Sequence, residues 1–65
     1  MNVTLPAEVT HRTAVLNERA ASLREQAASL PEVLAQTYRR RASELELEAW
    51  ATELRAGGLA DTVAA

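Results

Sequence analysis

The sequence contains no cysteine and only one histidine, so it lacks both disulfides and the Cys and His clusters of structural zinc sites. Phenylalanine is also absent, and alanine and leucine supply most of the 48% hydrophobic fraction, a composition that favours helices over sheets. With 65 residues and no cross-link, a lone core would be only marginally stable. The sequence therefore predicts an all-α protein that buries further surface by self-association.

Lysine is absent too, and all seven basic residues are arginine. The net charge is −2. This balance gives no overall attraction to nucleic acid or to an anionic membrane. No apolar run is long enough to cross a bilayer, and the first residues lack the features of a signal peptide. We therefore expect a cytoplasmic protein with no membrane partner. Arginine in place of lysine, together with abundant alanine, suggests a bacterial or phage source.

Alanine recurs at every seventh position along most of the chain: Ala7, Ala14, Ala21, Ala28, Ala35, Ala42, Ala49 and Ala56. Seven residues make about two helical turns, so these side chains form one stripe along a helix. Because alanine is small, the stripe predicts close packing between helices.

Pro31 divides the chain into two predicted helices, at about 6–29 and 32–56, since proline inside a helix removes a backbone hydrogen bond. Ser29 and Glu32 have the spacing of a capping box, and Gly57-Gly58 predicts a left-handed C-cap. We expect residues 59–65 to form a flexible tail. The predicted fold is an antiparallel helical hairpin over residues 1–58, with one continuous kinked helix as the alternative.

Heptad spacing assigns an inner face to each helix. On the first helix it comprises Val9, Thr13, Leu16, Ala20, Leu23, Ala27 and Leu30, with Ala14, Ala21 and Ala28 widening it on one side. On the second helix it comprises Leu34, Ala35, Tyr38, Ala42, Leu45, Ala49 and Ala56. In the hairpin, Leu16 is expected to meet Leu45, and Leu23 to meet Tyr38.

The second helix is predicted to carry two interfaces. The hairpin is expected to form a homodimeric four-helix bundle, in which the basic residues at 39–41 face acidic residues of a second copy. Its predicted oligomer interface is Ala35, Tyr38, Ala42, Leu45 and Ala49. Leu47, Trp50 and Leu54 lie on nearly the opposite face, which is typical of a core or docking surface for a partner protein.

Two motifs suggest other chemistry. Arg39, Arg40 and Arg41 could bind an anion, and the alternative function is a nucleic-acid-associated regulator, although successive helical residues diverge by about 100°. Glu8 and His11 have the Glu-x-x-His spacing of metal-binding bundles, the remote alternative, but they fall away from the inner face. We expect no catalytic residue, no cofactor and no metal ligand. The favoured function is a non-catalytic protein interaction or assembly module.

Overall fold

Two packed α-helices form the part of the chain that the computed structural model describes, residues 6–58. Helix α1 spans Ala7–Ala27 and helix α2 spans Glu32–Glu53, after which Leu54–Gly58 continue as a short π-helix. The predicted helical hairpin is confirmed. The alternative of one continuous helix is excluded, because the chain turns at residues 28–31. The predicted flexible tail, 59–65, lies outside the described residues.

A proline precedes each helix. The carbonyl of Pro6 accepts the first helical hydrogen bond of α1 from the Thr10 amide (3.1 Å), and the carbonyl of Pro31 does the same for α2 with Ala35 (2.8 Å). Proline suits this place because the first turn of a helix needs no amide donor from it. The capping box predicted at Ser29 is wrong: no side chain caps α2, and the Ser29 hydroxyl donates to the Gln26 carbonyl instead.

The predicted left-handed glycine cap at the end of α2 is also wrong. No described glycine has a positive φ angle. The backbone instead widens into the π-helix Leu54–Gly58, so the helical path continues through both glycines. These glycines therefore do not end the helix within the described residues.

Small side chains dominate the core between the helices. The buried residues are Thr13, Leu16, Ala20 and Ala27 on α1, and Ala35, Ala42, Leu45 and Ala49 on α2. Ala20 and Ala42 have 0% exposure, and the partly buried Leu23 packs against the cluster that also holds Leu16 and Leu45. The buried Thr13 hydroxyl is satisfied, since it donates to the Thr10 carbonyl at 3.0 Å. Alanine at most core positions lets the helix backbones approach closely.

The alanine stripe is divided between core and surface. Ala35, Ala42 and Ala49 are buried as predicted, but Ala14, Ala21 and Ala28 are exposed, and so is Ala56. The prediction that the first-helix alanines widen the inner face is therefore wrong. Ala20 and Ala27, which the spacing also assigned to the inner face, are buried as predicted, because Leu16 and Leu23 turn that face of α1 towards α2. The inner-face assignments of Leu34 and Ala56 are also wrong. Leu34 is 49% exposed because it lies at the margin of the core, and the exposed Ala56 lies in the π-helix beyond α2.

The hairpin is one helix thick. The molecule measures 46 × 22 × 14 Å along its principal axes. A helix with its side chains is about 10–12 Å across, so the 14 Å dimension corresponds to a single layer. Stable domains usually consist of at least two layers packed around a core. Within residues 6–58, both broad sides of this layer are therefore uncovered.

Candidate interaction surfaces

The two broad sides of the hairpin carry different residues. Arg12, Arg19 and Arg41 each come one residue before a small buried residue, and all three border the same side of the hairpin. Trp50 comes one residue after the buried Ala49, which places it towards the other side. In two antiparallel helices, the residues that precede core positions on both helices lie on one side of the pair, and those that follow core positions lie on the other side. The two sides therefore carry different residues. We call them the arginine side and the tryptophan side.

The tryptophan side borders an exposed apolar cluster at the end of the hairpin that lies away from the turn. Leu47 is 62% exposed and Trp50 is 60% exposed, whereas Leu54 is half-buried where the π-helix begins. We call these three residues the outward cluster. Large exposed apolar side chains at helical spacing are typical of interaction surfaces. The cluster was predicted from sequence, and the hairpin core leaves Leu47 and Trp50 unused.

An ion pair joins the helices on the tryptophan side. Arg24 of α1 donates to both carboxylate oxygens of Glu46 on α2, at 2.6 and 3.3 Å, and to the Ser43 hydroxyl at 3.1 Å. The hydrogen bond from Arg24 lowers the pKa of Glu46, and the same bond raises the pKa of Arg24. Glu46 lies one helical turn from Trp50. This pair therefore leaves the middle of the tryptophan side without net charge.

The exposed alanines of α1 also lie towards the tryptophan side. Ala14, Ala21 and Ala28 each follow a small buried residue, as Trp50 does on α2. Ala21 and Ala28 are one helical turn from Arg24, which fixes the side on which they lie. The tryptophan side thus combines a bulky indole on one helix with a row of small side chains on the other. Small side chains permit close approach by another helix.

The hairpin itself buries most of the predicted oligomer interface. Ala35, Ala42, Leu45 and Ala49 are buried within the hairpin, and Tyr38 is half-buried. A second copy of the intact hairpin would therefore contact other residues. Within one chain, Arg39 pairs with Glu32, Arg41 pairs with Glu44, and Glu46 binds Arg24 of the first helix. The expected pairing of residues 39–41 with acidic residues of a second copy stays a prediction.

The arginine triplet does not form one site. Arg39 pairs with Glu32 at 2.7 Å, and Arg41 pairs with Glu44 at 3.2 Å. Arg40 makes no ion pair among residues 6–58. Arg39 and Arg41 lie on opposite flanks of α2, so the three guanidinium groups diverge as the helical geometry requires. The triplet therefore provides no shared anion site within the hairpin.

A groove runs along the arginine side between the helices. Two adjoining hollows, of about 350 and 420 Å³, share Arg19, Arg41 and Leu45 in their walls. Arg12 borders the second hollow, and apolar side chains complete both: Leu16, Leu23 and Val15. We call this the arginine groove. Sequence analysis missed it, although the position of each arginine directly before a small core residue was a usable signal.

Glu8 and His11 are both exposed on α1. Within residues 6–58, no group of three His, Cys, Asp or Glu side chains is placed to hold a metal ion. His11 instead borders the arginine groove, next to Arg12. In the same part of the chain, neither helix is long and apolar enough to cross a membrane.

Comparison with known proteins finds no relative: no protein-family model matches this chain, and neither a curated protein nor a solved structure does.

Proposed function

We propose that this chain is a non-catalytic interaction module that acts as a homodimer, and that the tryptophan side carries the self-association. In this arrangement two hairpins stack into a four-helix bundle, and Trp50 of each copy packs against the other copy. The apolar core of the new interface comes from the outward cluster. Cytoplasmic location belongs to the same proposal, because nothing in it requires a membrane or an oxidising compartment.

The observation that carries this proposal is the exposure of Trp50 on a hairpin only one layer thick. Tryptophan is enriched among the residues that dominate interface energies, and within residues 6–58 the single layer leaves 60% of Trp50 exposed. The neutral Arg24–Glu46 pair adds no charge repulsion between two copies that meet on this side. The exposed alanines of α1 on the same side leave room for a close approach.

Sedimentation equilibrium of the wild-type chain and of Trp50→Ala tests the proposal. The wild type is expected to be a dimer at micromolar concentration. Each dimer buries two copies of Trp50, and a dominant interface residue contributes about 2 kcal/mol or more, so the variant should dissociate with a Kd roughly 1000-fold higher. At protein concentrations high enough to keep the variant dimeric, its helicity measured by circular dichroism should match that of the wild type, because Trp50 lies outside the hairpin core.

Val33→Ala is the matched control, because Val33 is an exposed apolar residue of the same helix outside the outward cluster. This variant should remain a dimer with the wild-type Kd. A wild-type chain that is monomeric across the concentration range would contradict the proposal. A Trp50→Ala variant that is still dimeric would show that the interface lies elsewhere on the hairpin.

A further inference from the structure

The arginine groove concentrates positive charge on one side of a chain whose net charge is −2. Arg12, Arg19 and Arg41 border it, against a single bordering carboxylate, Glu48. Arg12 and Arg19 make no ion pair within residues 6–58, and the carboxylate bound to Arg41, Glu44, is itself exposed. An exposed pair of this kind is weak enough for another anion to displace. The groove therefore favours an anionic occupant.

A second copy of the hairpin does not satisfy this requirement. If two arginine grooves faced each other, Arg12, Arg19 and Arg41 of both copies would be brought together. Like charges placed in one interface oppose association and select against that pairing. The arginine groove is therefore suited to a different molecule from the one that covers the tryptophan side.

The walls of the groove favour a protein helix over nucleic acid. Val15 and Leu23, both half-buried, lie between the arginines beside the buried Leu16 and Leu45, so an occupant must supply apolar side chains as well as negative charge. A polyphosphate backbone offers charge alone, and the net negative charge of the chain opposes its approach. A third helix fits between two packed helices and adds the second layer that the hairpin lacks.

We propose that the arginine groove binds an acidic amphipathic helix of a partner protein. Its apolar stripe lies on Val15 and Leu23, and carboxylates along its margins pair with Arg12, Arg19 and Arg41. Planar guanidinium groups suit this role, because they bind carboxylates through two parallel hydrogen bonds. This proposal is independent of self-association through the tryptophan side.

The test uses a synthetic three-heptad peptide with leucine at the first and fourth position of each heptad and glutamate at the flanking positions. Binding of the fluorescently labelled peptide to the full chain is measured by anisotropy at low salt. We expect saturable binding that weakens as salt approaches about 0.5 M, where charge interactions are screened within a few ångströms. A peptide with glutamine in place of glutamate should bind at least tenfold more weakly.

Three variants locate the site. Arg19→Gln should weaken peptide binding about fivefold, and Arg19→Gln with Arg41→Gln should weaken it further, since exposed charge pairs contribute modestly and independently. Arg40→Gln removes the same charge outside the groove and should change binding less than about twofold. Trp50→Ala should still bind the peptide, which separates this site from the self-association surface.

Several results would overturn the proposal. Equal binding of the glutamine peptide would show that charge does not select the occupant. Equal losses in Arg19→Gln and Arg40→Gln would mean that overall charge, and not the groove, attracts the peptide. A DNA duplex that binds more tightly than the acidic peptide at the same salt would identify the groove as a nucleic-acid surface. A shift in Trp50 emission on peptide binding would place the peptide on the other side.

Discussion

Replacing Ala42 with leucine tests whether close helix packing holds this hairpin together. Ala42 has 0% exposure, as does Ala20 on the facing helix, and both belong to the same core cluster. The substitution adds three carbon atoms. If space were available, burying them would stabilise the fold by about 0.8 kcal/mol per carbon. No space is available, so the helices must separate or the new side chain must adopt a strained rotamer.

Overpacking of this kind costs about 1–3 kcal/mol. Typical stabilities of about 0.05–0.15 kcal/mol per residue give this 65-residue chain about 3–10 kcal/mol in total. Ala42→Leu should therefore remove a substantial part of the stability. A change of 1 kcal/mol shifts Tm by about 4–8 °C in a domain of this size, so we expect Tm to fall by at least about 4 °C.

Urea unfolding followed by circular dichroism measures this change, at one protein concentration because association would add stability. Ser22→Leu is the control: Ser22 is exposed on α1, at the edge of the arginine groove and outside the core cluster. Its stability should stay within about 0.5 kcal/mol of the wild type. Equal stabilities of Ala42→Leu and Ser22→Leu would refute the argument that small core residues set the helix separation.

Two further predictions concern the ion pair and the turn. Because the pKa of Glu46 is lowered in the folded chain, its pair with Arg24 stabilises the fold above the ordinary glutamate pKa, and this contribution is lost as pH falls through the lowered value. Unfolding of Glu46→Gln should therefore depend less on pH in the acid range than that of Glu25→Gln, an exposed control; identical profiles would contradict it. Pro31→Ala should lower stability by about 0.4–1 kcal/mol, because proline restricts the unfolded chain and already has a compatible φ of −56° in the turn. An unchanged urea midpoint would show that Pro31 contributes no such restriction.

Local features of the sequence were sufficient to predict the hairpin. Pro31 interrupts the chain between two segments with heptad spacing, and helix formation in each follows from their alanine and leucine content. The core positions Leu16, Ala42 and Leu45 also follow from this spacing. The exposure of Leu47 and Trp50 could be predicted because the 3.6-residue period of a helix determines on which face each residue lies.

The extent of the alanine stripe could not be predicted in this way. Spacing of seven continues through the turn, but it assigns both Ala20 and its neighbour Ala21 to the inner face of α1 and does not decide between them. In α1 the leucines decide this, so Ala20 is buried and its neighbour Ala21 is exposed. The ends of the helices could not be predicted from sequence either. At Ser29 and Gly57, the backbone conformations with and without the predicted cap differ in free energy by about 1 kcal/mol or less.

The sequence by itself determined that this chain forms two amphipathic helices around a core of small residues, because those properties depend on neighbours within a few turns. Only the tertiary structure decided which side chains from different helices share a surface. Arg24 and Glu46 pair, and Arg19 and Arg41 border one groove, although about 22 positions separate each pair in sequence. Such contacts depend on the register and rotation of two helices. Packing of the whole core sets both quantities, and no single segment encodes them.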